Sequence, residues 1–295
     1  MRLVTVARGD QEIAAIDTPS GVIALQDLAP DLPASILGVV QGGPAILDRI
    51  AKALSEGTAT PLAADSFTLK APIPRPTKNI FCVGKNYVEH AKEFQDSGFD
   101  QSSGGQEVPD LPIVFTKAPT SVIGTGADVI AAHDADGTLD YEGELGVVIG
   151  RGGRGISKAA AYDHVFGYTV INDITARQAQ NAHKQWFLGK SADTFCPMGP
   201  ALVTADEVGD VTSLRLVTVV NGEKRQDAVV SDLIFDIPTI IATISKAITL
   251  EPGDIIATGT PVGVALGFKP PKYLKPGDEV TVEISRIGVL RNRIV

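Results

Sequence analysis

The segment Leu139 to Gly150, LDYEGELGVVIG, constrains this chain more than any other. Glu142 and Glu144 stand two apart in a run that is otherwise apolar and glycine-rich. Such a run reads as a β-strand, on which alternate residues share a face, so both carboxylates point the same way. Two buried carboxylates on one face repel each other and lose hydration, unless a cation or strong donors neutralise them. The alternative is an edge strand with its polar face in water. Leu145, Val147 and Val148 do not alternate with polar residues, which favours burial and a cation. Asp173 ends the apolar strand FGYTVIND and precedes ITARQAQ, a helical start. A strand-end carboxylate suits a metal ligand and, equally, a helix cap. Together the three acids would form an all-oxygen site suited to Mg²⁺ or Mn²⁺ rather than zinc, with about three of six octahedral positions open.

Strand patterns dominate elsewhere. Ile80–Val83, Ile113–Thr116, Phe166–Ile171 and Leu216–Val220 are short, apolar and β-branched, and Asn221-Gly222 marks a hairpin to Lys224–Val229. Val280, Val282 and Ile284 alternate with polar residues, as in a half-buried strand. Helices are expected at Pro44–Ser55, Ser157–Asp163, about Thr175–Lys184 and about Pro238–Ile248. The first seventy residues read as a small separate unit of short strands and one helix, joined by the proline-rich APIPRPTK, Ala71 to Lys78. This gives a domain at 1–70 and a second at 71–295. Strands with interspersed helices, lacking regular alternation, indicate an α+β class rather than a doubly wound sheet. The polar stretch Gln95–Asp110 reads as a long loop, either a lid or a segment without fixed structure.

Several other residues could carry chemistry. His90 and Glu93 lie i, i+3 on an expected helical turn, where the carboxylate could orient the imidazole as a base for water; a solvated helix face explains the same pattern. Lys190, in FLGKSADTFCPMGP, could hold an oxyanion or a substrate carboxylate, or be an ordinary loop lysine. Arg177 is a second cation near Asp173. Thr260, between glycines in TGTPVGV, could line a pocket or mark a bend. Cys196 has no basic neighbour and reads as a buried apolar residue, and the glycines at 150–155 lack phosphate-loop spacing. Lys and Arg total 26 against 35 Asp and Glu, a net −9 that disfavours nucleic-acid binding. No apolar run is long enough for a membrane helix, and the N-terminus lacks signal-peptide character, so a cytoplasmic location is expected.

Taken in order, NYVEHAKE, TKAPTSVIG, DYEGELGVVIG, YTVINDITARQ, KSADTFCPMGP, NGEKRQD and TGTPVGVALGFKPPKYLKPGD resemble the fumarylacetoacetate hydrolase (FAH) family. The resemblance implies a mixed β-sandwich roll core with a small N-terminal α/β domain, and a homodimer. It implies Glu142, Glu144 and Asp173 as ligands of Mg²⁺ or Mn²⁺, Ca²⁺ being admissible in crystals. It implies His90 and Glu93 as the water-activating pair, Lys190 as the oxyanion cation, and Arg177, Gln180 and Thr260 as substrate-pocket residues. Two departures stand out. Gln178 follows Arg177 where many members carry an acid. Val83, seven residues before His90, replaces the extra aspartate ligand of full-length fumarylacetoacetases, which points to the smaller prokaryotic-type branch.

The expected activity is hydrolysis of a carbon–carbon bond in a small anionic 2-oxo acid, such as the 2,4-dioxo acid acylpyruvate. His90 and Glu93 would activate water, and the metal would stabilise a pyruvate enolate. The same site could instead serve oxaloacetate decarboxylation or isomerisation of 2-hydroxyhepta-2,4-diene-1,7-dioate. A β-roll protein that binds metal without catalysis is the reading from a different class.

Overall fold

The strand Gly143–Ile149 lies inside a sheet, paired antiparallel with Val165–Asn172 on one side and Ile255–Ala257 on the other. All seven of its residues are buried, which removes the solvated-edge explanation for the paired glutamates. The structure, a computed structural model, describes residues 1–57, 59–98 and 108–295.

From this centre the sheet extends both ways. Ile255–Ala257 pairs in parallel with Ile80–Gly84, and Ile113–Lys117 closes that side antiparallel. In the other direction come Cys196–Thr204, Arg2–Arg8, Gln11–Thr18 and Gly21–Ala24. A second sheet is built from Glu223–Val229, Arg215–Val220, Glu279–Ile284, Gly288–Ile294 and Asp128–Val129. Its first two strands meet at Asn221 and Gly222, whose φ values of 50° and 80° suit the tight hairpin turn their side chains favour.

Side chains alternate across the central sheet, so it carries a core on each face. Leu145, Val147, Val170 and Val203 pack towards the second sheet, against Leu216, Val282 and Ile284. Val148, Ile171, Met198 and Leu202 pack on the other face with Ile36, Val39, Val40 and Ile50. The latter four belong to the helix Ile36–Glu56, which breaks at Gly43 (φ 61°) just before Pro44. The expected helix from Pro44 is therefore preceded by another stretch, whose N-cap Ser35 accepts the Gly38 N–H at 3.1 Å. Glu142 and Glu144 share the parity of Val148 and so lie on this second face.

Other expected helices are shorter or tighter. Lys158–His164 is a 3₁₀ helix rather than an α-helix. Thr175–Ala176 pairs as a strand with Leu139–Asp140, leaving only Arg177–Ala182 helical. That short strand carries Arg177 to the carboxylates. In the Gln95–Asp110 segment, Gln95 and Asp96 finish the helix Val88–Asp96, while 99–107 lie outside the described residues. Among the described residues, no helix is long and apolar enough to cross a membrane.

The sheet runs across residue 70. Arg2 and Leu3 register against Val203 and Leu202, and Leu3, Ile16, Ile36 and Val40 share one core with Ile80, Val148 and Met198. A chain starting at residue 71 would expose that core and leave a new open strand edge. It is expected to aggregate or lose its cooperative urea transition; a soluble fragment that unfolds cooperatively would show that 71–295 folds alone.

Candidate active site

Glu142, Glu144 and Asp173 converge at the end of the central strands, each offering an oxygen within 4.8 Å of the others. All three are buried. Asp173 directly follows Val165–Asn172, and its N–H donates to the Glu142 carbonyl at 2.8 Å. It is not the cap of the next helix, whose N-cap is Ala176.

Fixed cations surround the cluster unevenly. Lys190 ends the helix Phe187–Lys190 and is buried, not a surface lysine; its Nζ donates at 2.8 Å to both Glu142 Oε2 and Asp173 Oδ2. Arg177 is paired through Nη2 with Glu142 Oε1 (2.7 Å) and donates from Nε to Asp140 Oδ2 (2.9 Å) and from Nη1 to Gln180 Oε1 (3.2 Å). Burial would raise the Glu142 pKa, but Lys190 and then Arg177 outweigh it and hold the carboxyl at about 2. Glu144 differs: it accepts the Gly259 N–H at 2.8 Å, and no salt bridge reaches it among the described residues. Burial, then Asp173 and Glu142, push its carboxyl well above the usual range. An all-oxygen donor set with one buried, unpaired carboxylate fits a hard divalent cation.

Two participants were not singled out from the sequence. Lys117 closes the edge strand Ile113–Lys117, fully buried, and donates to Asp173 Oδ1 (2.5 Å), to the Ile174 carbonyl (3.1 Å) and to the Lys190 carbonyl. Its signal was a lysine at the end of an apolar strand in IVFTK. Asp140 has the parity of Glu142 and Glu144 in LDYEGE, and holds Arg177 while accepting the Ala265 (2.7 Å) and Leu266 (3.1 Å) N–H groups.

His90 and Glu93 share the helix Val88–Asp96. His90 is buried while Glu89 and Lys92 are exposed, so the pair is not part of a solvated face. His90 Nδ1 lies 3.1 Å from Glu93 Oε2, and Glu93 Oε1 accepts the Gly263 N–H at 3.0 Å. A carboxylate only accepts, so Nδ1 carries the proton and Nε2 keeps its lone pair. One small pocket brings together His90, Glu142, Glu144, Arg177, Gln180, Lys190 and Thr260. Phe94, Phe115 and Trp186 wall it, with Trp186 edge-on to both phenyl rings. Gln178 is exposed. Cys196 is buried, and burial pushes its thiol up to about 12, as befits an apolar filler.

A β-roll with a buried acidic cluster beside an imidazole–carboxylate pair is the class these features define. The chain belongs to the fumarylacetoacetate hydrolase family of enzymes: the family's "Fumarylacetoacetate (FAA) hydrolase C-terminal" model matches residues 79–295. Over 227 residues it is 54% identical to the oxaloacetate tautomerase YisK of Bacillus subtilis, covering 77% of this chain and 72% of that protein. The fumarylacetoacetate hydrolase of Exiguobacterium antarcticum superposes with a TM-score of 0.83 at 38% identity, over 100% of this chain and 99% of the other. A maleylpyruvate hydrolase of Sphingobium sp. SYK-6, solved with manganese(II) and pyruvate, gives 0.79 at 29% identity and the same coverage.

Two expectations follow. The folded protein keeps a proton on Glu144 that the unfolded chain releases above its usual 4.5, so this group's stabilisation is full below that pH and is lost as pH rises through the folded value. A cation must displace that proton, so binding tightens with pH. The melting-temperature rise produced by Mn²⁺ should grow between about pH 5 and pH 8 and vanish in Glu144→Gln. A shift that ignores pH, or persists in the variant, counts against the cluster as the site. Second, Lys117→Met removes one of the two lysines that pair with Asp173 and should cost about 1–3 kcal/mol in urea unfolding.

Proposed function

We propose that this chain is a divalent-cation-dependent enzyme that interconverts the keto and enol forms of a small 2-oxo diacid, with oxaloacetate as the first substrate to test. The observation that carries the reading is His90 and Glu93 facing the carboxylate cluster, Lys190 and Arg177 across one small pocket. The 54% identity to a protein named oxaloacetate tautomerase supports this choice among reactions that share an enolate.

When bound at Glu142, Glu144 and Asp173, a divalent cation would polarise the substrate's 2-oxo group and acidify the neighbouring C3–H. His90 Nε2 takes the C3 proton, and the C–H electron pair forms the C2–C3 double bond as charge moves onto the 2-oxo oxygen. Glu93 holds the ring and balances the imidazolium. Lys190 and Arg177 attract the anionic substrate and its developing charge. The proton held on Nε2 then passes to the enolate oxygen, directly or through a water, which completes the enol and returns His90 to its neutral form; the reverse path runs the same transfers backwards. Asp140 keeps Arg177 aimed at Glu142.

Hydrolytic cleavage of a 2,4-dioxo acid is the second reading, favoured by the His90–Glu93 geometry, which equally suits a base for water, and by the likeness to maleylpyruvate hydrolase. Here His90 would take its proton from water and Lys190 would face the resulting oxyanion.

Enol absorbance of oxaloacetate, followed with Mn²⁺-loaded protein, should relax faster than without protein. His90→Gln should slow the catalysed rate by about 10²–10⁴-fold. Acylpyruvate consumption measured in parallel decides between the readings: rapid cleavage with no tautomerisation would replace the first by the second.

A further inference from the structure

Thr260 lies in the pocket, but its hydroxyl is controlled from the second sheet. Gln226, in Glu223–Val229, is buried to 1% exposure, and its amide makes three contacts. Its Oε1 accepts the Gly143 N–H at 3.0 Å, while Nε2 donates at 2.8 Å to both Thr260 Oγ1 and the Pro261 carbonyl. The amide cannot be reversed. Exchanging O and N would set an NH₂ against the Gly143 N–H and a carbonyl oxygen against that of Pro261. Thr260 Oγ1 must therefore accept from Gln226, and its proton must go elsewhere.

We propose that Gln226 is a positioning residue that makes Thr260 an obligate hydrogen-bond donor into the pocket, selecting a substrate that presents an acceptor oxygen, carboxylate or carbonyl, at that point. Two features support it independently of the pocket. Gly143, between the paired glutamates, packs so closely that a Cβ would meet Thr218 Oγ1 at 2.4 Å and Gln226 Oε1 at 3.2 Å. Thr260 and Pro261 are themselves held by the same amide. One side chain thus ties the carboxylate strand to the donor across the pocket. The inference rests on the 2-oxo acid reading for its substrate class, but not for the direction of the hydrogen bond.

The test uses the full chain loaded with Mn²⁺ and oxaloacetate as the probe. Thr260→Val should raise KM about 10- to 100-fold, the loss expected for a hydrogen bond to a charged acceptor, and act on KM rather than kcat. Thr260→Ser, which keeps the hydroxyl, should recover most of that affinity. Gln226→Met should raise KM similarly, and adding it to Thr260→Val should cost nothing further. An unchanged KM in Thr260→Val, or additive losses in the double variant, overturns the proposal. If Gln226→Met does not fold, the Thr260 pair still decides the hydroxyl's role. The Gln226 side-chain amide in ¹⁵N-labelled, ligand-free protein decides its orientation: slowly exchanging protons perturbed by Thr260→Val support it, and rapid exchange overturns it. A wild-type protein inactive on every 2-oxo acid would overturn the functional reading alone, leaving the amide measurement to judge the relay.

Discussion

Everything at this site follows from the cost of placing carboxylates out of water. Asp140, Glu142, Glu144 and Asp173 are buried together, and Lys117, Arg177 and Lys190 pair with all of them except Glu144. Among the described residues no salt bridge reaches Glu144, which makes it the member most exposed to the cost of burial. A dication held there would add positive charge beside the pocket, which suits an anionic substrate. The −9 charge of the whole chain describes its surface, and the pocket runs against it.

The sheet supplies the geometry this neutralisation requires. A central strand fixes two glutamates at a two-residue spacing, its neighbour delivers Asp173, and the edge strand delivers Lys117 behind them. The helix Val88–Asp96 brings the His90–Glu93 pair to the opposite wall. The carboxylate cluster and the imidazole thus stand on separate elements. The His90 helix touches the cluster through Phe94, whose ring centre lies 5.9 Å from the Arg177 guanidinium carbon, and Lys117 joins Asp173 to the Lys190 backbone.

Much of this was legible from local pattern. Same-face glutamates in an apolar run, a strand-end aspartate and an Asn-Gly hairpin each have short-range causes, so the strand carrying the glutamates and the acidic triad could be read from sequence, whereas the order of the strands could not. What stayed hidden depends on contacts distant in sequence. Lys117 is ordinary until the edge strand folds behind Asp173, 56 residues away. Gln226 has no local signal, because its meaning lies in Gly143, 83 residues away. Local pattern left Lys190 open between a site cation and an ordinary loop lysine, because a four-residue helix leaves little periodicity. The proline-rich connector suggested a clean boundary near residue 70, but side chains on both sides of it fill one core.

That shared core has a consequence for how the chain acquires its structure. Arg2–Arg8 takes Cys196–Thr204 as a neighbour in the sheet, so this strand must wait for one synthesised much later. The Arg2–Val203 pairing closes a loop spanning most of the polypeptide. Non-local strand pairing of this kind slows folding and leaves apolar edges open during synthesis. Arg2–Arg8 has a provisional partner in Gln11–Thr18, a nearby hairpin that can cover one edge at once. Because that hairpin needs no distant segment, its pairing is the local step to which the long-range one is added.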